Sequence, residues 1–148
     1  MMLLIRAAIF TAVVAGGAFA PAAVRSAPAD RASSPLLPLT NSDEESTTET
    51  GCTSTFHVAN LDHLQLVGTE LVLRDTRGLH ACRLTEANTR ALDEGQRAIA
   101  CSQYRLQVRR VGRTSTNAAS DSSSTRAFLT IDRGGTVATM LGRWTVAC

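Results

Sequence analysis

The sequence predicts an all-β fold, a small antiparallel barrel or sandwich with two disulfides and at most one short helix. Three observations predict it. Apolar residues recur at every second position, two turn signatures have the form Asp-x-x-Gly, and four cysteines (Cys52, Cys82, Cys101, Cys148) follow a leader typical of exported proteins.

The alternation is clearest at 104–109, where Tyr104, Leu106 and Val108 face one way and Arg105, Gln107 and Arg109 the other. Leu71 and Leu73 against Val72 and Arg74 repeat it, as do Trp144, Val146 and Cys148 against Thr145 and Ala147. Asp75-Thr76-Arg77-Gly78 predicts a turn joining strands at 70–74 and 79–84. Asp132-Arg133-Gly134-Gly135 predicts another, joining 127–131 to 136–141. In both, Asp accepts a local backbone hydrogen bond and Gly takes the positive φ. The stretch 85–99 predicts one helix, or a helical turn within a loop, from Ala87, Ala91, Leu92 and Ala98, with Gly95 weakening it. The polar run 112–125, with Ser122-Ser123-Ser124 at its tip, predicts a long loop.

Residues 1–22 carry the parts of a signal peptide: Arg6, an apolar stretch at 7–15, and small residues around Ala18-Phe19-Ala20. The apolar run is too short for a membrane span, so a secreted or periplasmic protein is expected. All four prolines fall between 21 and 38, and acids follow at Asp43, Glu44, Glu45 and Glu49. Residues 23–51 therefore read as a disordered acidic tether rich in Ser, Thr and Pro. Residues 21–51 hold two Arg against five acids, a net charge of −3, whereas 52–148 hold 12 Arg against eight acids, +4. Tail and domain attract weakly, an effect salt would screen.

The folded domain is then 52–148. At this size the core is thin, and cross-links contribute appreciably. Of the three connectivities four cysteines allow, Cys82–Cys101 with Cys52–Cys148 is favoured. The first closes a short loop and the second clasps the ends of the domain. Each contributes about 3–5 kcal/mol by restricting the unfolded chain.

Reactive constellations are sparse. His57, His63 and His80 lack the tight ligand spacings of a metal site, so neither a metal nor any other cofactor is expected. There is no G-x-S-x-G elbow. Asp62-His63 lacks a nearby serine, and the paired carboxylates Asp93-Glu94 sit in a solvated stretch. The chain is expected not to be an enzyme. Arg105, Arg109, Arg110 and Arg113 form a basic stripe, either a solvated strand face or a contact for an anionic surface. The domain's four aromatics, Phe56, Tyr104, Phe128 and Trp144, are too few to suggest nucleic acid.

The strand–turn–strand at 71–84 with Cys82, the second cysteine at Cys101, and the later hairpin at 128–141 resemble the Inh-type bacterial metalloprotease inhibitors over about half of the mature chain. Thr69-Glu70-Leu71 stands where that family has a Trp, its Trp-x-Pro segment has no counterpart, and Cys52 and Cys148 are an additional pair. The resemblance implies a lipocalin-like antiparallel barrel whose N-terminal segment enters a protease's active-site cleft. The functional expectation is a secreted, monomeric, non-catalytic binding protein with a protein partner, most concretely a protease. The alternative is a secreted interaction or effector module acting on a host or cell-surface partner. A third reading, a small-molecule carrier, requires an internal cavity. For inhibition, the candidate contacts lie just before Cys52, at Thr48, Glu49 and Thr50, with Glu49 placed to meet a catalytic metal; a plain spacer is the alternative.

Overall fold

The computed structural model describes residues 34–148. The expected signal peptide, 1–22, and the first part of the expected tether, 23–33, lie outside the described residues. Eight strands follow in order: β1 (Thr53–Val58), β2 (Leu61–Val67), β3 (Glu70–Asp75), β4 (Gly78–Arg83), β5 (Ile99–Cys101), β6 (Tyr104–Asn117), β7 (Ser122–Arg133) and β8 (Thr136–Ala147). Two short helices complete the set, α1 (Asn41–Glu44) and α2 (Glu86–Asp93). The sheet order is β4-β3-β2-β1-β8-β7-β6-β5, every pairing antiparallel. Except at the β4–β5 junction, each strand pairs with its neighbour in sequence, and β8 returns to β1. The result is an up-and-down barrel, closed except at one seam between β4 and β5. The all-β class holds.

The period-two pattern explains the interior. Phe56, Leu64, Leu66, Leu71, Leu73, Leu106, Val108, Leu129, Ile131 and Trp144 alternate inward and form one cluster. An eight-stranded barrel has an interior just wide enough for side chains to fill, and these residues fill it.

Both disulfides join the expected pairs, Cys52–Cys148 and Cys82–Cys101. The register explains the first: Thr53 lies opposite Ala147, so Cys52 and Cys148 extend the β1–β8 ladder by one position. The second has a larger task. It crosses from β4 to β5, the two edge strands that share no ladder.

The turns follow local chemistry. Asp75 Oδ1 accepts from Arg77 N at 2.7 Å, and Asp132 Oδ1 from Gly135 N at 2.9 Å. The β1–β2 hairpin carries no such signature. It turns on Ala59 and Asn60, both with positive φ (50° and 65°), as a two-residue hairpin loop requires. Helix α2 starts on the Thr85 cap, whose hydroxyl accepts from Asn88 N at 3.2 Å, and stops two residues before Gly95 (φ +71°).

Two expectations are corrected. The polar run 112–125 is not a loop: β6 and β7 continue through it as a hairpin, paired from Thr114↔Thr125 to Asn117↔Ser122. β8 supports it, pairing 144–147 with 122–125. The hairpin is polar because most of its residues are exposed, so it lacks the apolar alternation that marks a half-buried strand.

The acidic tether is, from Ser34 onward, part of the fold. Leu36 is 1% exposed and joins the interior cluster, and Leu39 is buried as well. Leu37 N donates to Arg74 O at 2.8 Å and Leu39 N to Asp62 O at 2.6 Å. Thr40 then caps α1 in a capping box, its amide donating to Asp43 Oδ2 at 2.8 Å. This accounts for a second helix where the sequence suggested at most one. Asp43 takes two hydrogen bonds from Arg74 Nη1, at 2.8 and 2.7 Å. Gln65 Nε2 donates to Glu44 O at 3.1 Å. The segment is a strap over the outer face of β2 and β3, which is why His63, Gln65 and Val72 are buried although they point away from the interior.

Candidate functional site

Four places in the fold gather polar chemistry, and three of them are spent on holding the barrel together.

The first is the barrel mouth beneath α2. Leu92 and Ala91 plug it, and Asp93 locks it. The Asp93 carboxylate accepts from Trp144 Nε1 at 2.8 Å and Ser54 Oγ at 3.3 Å, and pairs with Arg110 at 3.0 Å. One side chain thus ties α2 to β1, β6 and β8. A cleft of about 450 Å³ remains between α2 and the rim, lined by Leu66, Val146, Thr69, Glu86 and Arg90 among others. The space a carrier would need inside the barrel is occupied by Phe56, Tyr104, Trp144 and the leucines around them.

The second is a cluster around Asp75, which is 2% exposed. Tyr104 Oη donates to its Oδ2 at 2.5 Å, His80 Nε2 lies 3.0 Å from its Oδ1, and Arg133 approaches to 4.0 Å. Burial pushes the Asp75 carboxyl upward. The hydrogen bonds from Tyr104 and Arg77 N, with His80 Nε2 close by, outweigh that and hold it well below the usual carboxylate range. Burial, and then Asp75 itself, raise Tyr104. A Tyr–Asp–His arrangement resembles catalytic machinery, but Tyr104 is 1% exposed and no substrate reaches its hydroxyl. Asp75 ends β3 and Tyr104 begins β6, so the cluster stitches the same seam that Cys82–Cys101 crosses.

The third is the stretch before Cys52. Glu49 accepts from Thr69 N at 2.5 Å and Thr69 Oγ1 at 2.8 Å, and pairs with Arg83 at 3.2 Å. The Thr69 backbone and hydroxyl bonds hold its carboxyl below the ordinary value. The β2–β3 turn is shaped around this contact: at Gly68 (φ +57°) a Cβ would lie 2.3 Å from Glu49 Oε2. Thr48 N donates to Glu70 Oε2 at 2.8 Å. Of the three residues singled out as an inhibitory contact, Glu49 and Thr48 are engaged within the chain, and Thr50 is exposed. In the folded chain the Glu49 carboxylate is held by Thr69 and Arg83.

The fourth is an arginine face. Arg105 and Arg109 lie on the outer face of β6, exposed, as the alternation implied. Arg110 does not join them. It lies opposite the buried Ala127, on the other side of the strand, and turns to Asp93. In its place the register brings Arg126 of β7 and Arg143 of β8, directly opposite each other and both exposed. Arg109 lies opposite Phe128 with its guanidinium 5.1 Å from the ring. Sequence reasoning missed Arg126 and Arg143, since only the β6–β7–β8 register puts them beside a stripe that precedes them by many residues.

The histidines are dispersed. His57 lies 3.5 Å from Asp62, His80 joins the Asp75 cluster, and His63 is buried under the strap. Among the described residues no three metal-ligand side chains converge, and no helix is long and apolar enough to cross a membrane. No protein family, no curated protein and no solved structure matches this chain.

Proposed function

We propose that the chain is an exported, non-catalytic binding protein whose partner is a protein, and that protease inhibition is its activity. Two disulfides accord with an oxidising compartment. The observation that carries the binding reading is the far end of the β6–β7 hairpin. Residues 112–121 are all exposed, and they are held on a barrel whose seam and whose ends are cross-linked, with β8 paired along the β7 arm as far as Ser122↔Ala147. A preorganised hairpin loses little conformational freedom on contact, so more of its interaction energy appears as affinity. The interior is filled, and the mouth, the seam and the strap consume the remaining polar clusters. The outer surface is left to do the work.

The test is inhibition of a panel of secreted metalloproteases by the disulfide-intact chain at micromolar concentration. The expected result is inhibition that disappears when four glycines are inserted between Ala118 and Ala119, a loop tip that tolerates insertion without loss of stability. No inhibition of any protease in the panel removes the inhibitor reading. Full inhibition by the insertion variant removes the hairpin as the contact. Because 34–51 belongs to the barrel, a truncation that asks whether the N-terminal segment contributes should begin at Ser34 rather than at Cys52.

A further inference from the structure

We infer that the outer edge of β6 from Arg109 to Asn117 accepts an acidic, extended segment of the partner protein, held by main-chain hydrogen bonds along the edge and by Arg109, Arg113, Arg126 and Arg143. The inference rests on the binding-protein reading and names the chemistry of the partner.

The edge is open for a structural reason. β5 is three residues long and pairs with β6 only over Tyr104, Leu106 and the residue between them. The connection after α2 covers one position more: a Cβ at Gly95 would lie 2.5 Å from Val108 O. From Arg109 onward β6 is paired on its β7 side, and among the described residues no backbone bonds its other side. Unpaired strand edges take up extended peptides, with the main chain supplying affinity and side chains supplying selection.

The charge beside that edge is uncompensated. Arg110 has Asp93, but Arg109, Arg113, Arg126 and Arg143 have no acidic partner among the described residues. Arg126 and Arg143 face each other across the ladder, an arrangement that destabilises a sheet. The fold offers Arg143 only hydroxyls, Ser124 Oγ at 2.9 Å and Ser115 Oγ at 3.5 Å. Carboxylates laid along this face would form charge-assisted contacts with the guanidinium forks. Phe128 and the 43%-exposed Leu141 supply apolar ground between them.

The same features select against the wrong occupant. A second copy of this edge would set arginine against arginine. The register shift between Arg110 and Thr114, with Gly112 at φ +81°, blunts the edge against indiscriminate pairing.

The experiment is fluorescence anisotropy of the full disulfide-intact chain with a labelled eight-residue peptide alternating Glu and Val. Its companions are the same peptide N-methylated at alternate residues and a sulfated heparin hexasaccharide. The expected result is saturable binding of the plain peptide that weakens with salt and is lost on N-methylation. R109E/R113E should weaken it about tenfold or more, the effect of removing charge-assisted contacts. R126E should weaken it as well while leaving the melting temperature unchanged or raised, because Arg143 then gains an opposite charge. Equal binding of the N-methylated peptide, no effect of R109E/R113E, or binding of the hexasaccharide alone overturns the proposal. The two readings fail separately: protease inhibition without peptide binding removes this inference alone, and peptide binding without protease inhibition removes only the inhibitor.

Discussion

Removing the seam disulfide should loosen one line of the barrel before it loosens the rest. Cys82 and Cys101 are 19 residues apart, and on the loop-entropy treatment their bond stabilises the fold by about 3 kcal/mol; the 96-residue Cys52–Cys148 separation gives about 5 kcal/mol. On that arithmetic the longer loop matters more. The topology argues for a different distribution. Cys52–Cys148 extends a ladder already joined from Thr53↔Ala147 to His57↔Arg143. Cys82–Cys101 crosses a gap where β4 and β5 share no ladder, spanned otherwise by the side chains of the Asp75–Tyr104 cluster and by Arg77 Nη1 donating to Gln103 Oε1 at 3.3 Å. C82A/C101A should therefore lower global stability by about 3 kcal/mol, read from the urea midpoint. It should also lower the opening free energy of β4 and β5 amides in native-state hydrogen exchange by more than that of β7 and β8 amides. A uniform loss across all strands would refute the argument that this bond stands in for the missing backbone ladder at the seam.

Three further outcomes follow from buried contacts. L36A should destabilise by about 2–5 kcal/mol in urea unfolding, the range for a large-to-small change in a packed core, whereas a near-zero effect would mean the strap is not part of the core. G142A should destabilise by about 1–3 kcal/mol, because its Cβ would lie 2.3 Å from His57 O and 2.8 Å from Phe56 Cζ; an unchanged melting temperature would contradict that packing. Burial under the strap holds the His63 imidazole below its ordinary value, so the unfolded chain binds the proton more readily than the folded one. Its contribution to stability is full above the ordinary histidine value, about pH 6.5, and declines as the pH falls below it. H63Q should reduce that decline in urea titrations, and an identical pH profile in the variant would assign it elsewhere.

Legibility in the sequence followed burial and turn chemistry. β6 was readable because one face is apolar and the other polar, and the β3–β4 and β7–β8 hairpins because each turn carries an Asp that bonds its own backbone. The β1–β2 hairpin was not readable, because Ala59 takes a positive φ that its side chain does not favour. The β6–β7 extension was missed because strands without a buried face show no period. The strap was missed because three leucines among prolines and acids looked too few to repay ordering, yet one of them, Leu36, reaches the interior. Of the site, Arg105 and Arg109 were visible as a face, while Arg110 left it for Asp93, a partner only the fold brings near.

The charge difference between tail and domain acquires a specific meaning in the structure. Read along the chain, it predicted a weak, screened attraction. Folded, Asp43 meets Arg74 and Glu49 meets Arg83, so the acids of the strap neutralise arginines of β3 and β4 on one side of the barrel. Asp93 and Asp75 take Arg110 and Arg133. Among the described residues eight arginines are left without an acid, and five of them, Arg105, Arg109, Arg113, Arg126 and Arg143, belong to the three adjacent strands β6, β7 and β8, while Arg77, Arg90 and Arg97 lie at the β3–β4 turn, on α2 and just after it. A fold that merely needed solubility would disperse its surplus charge. Five of the eight beside one unpaired edge, two of them opposed at a cost to the sheet, is the charge pattern from which the proposed acidic segment of a partner is argued.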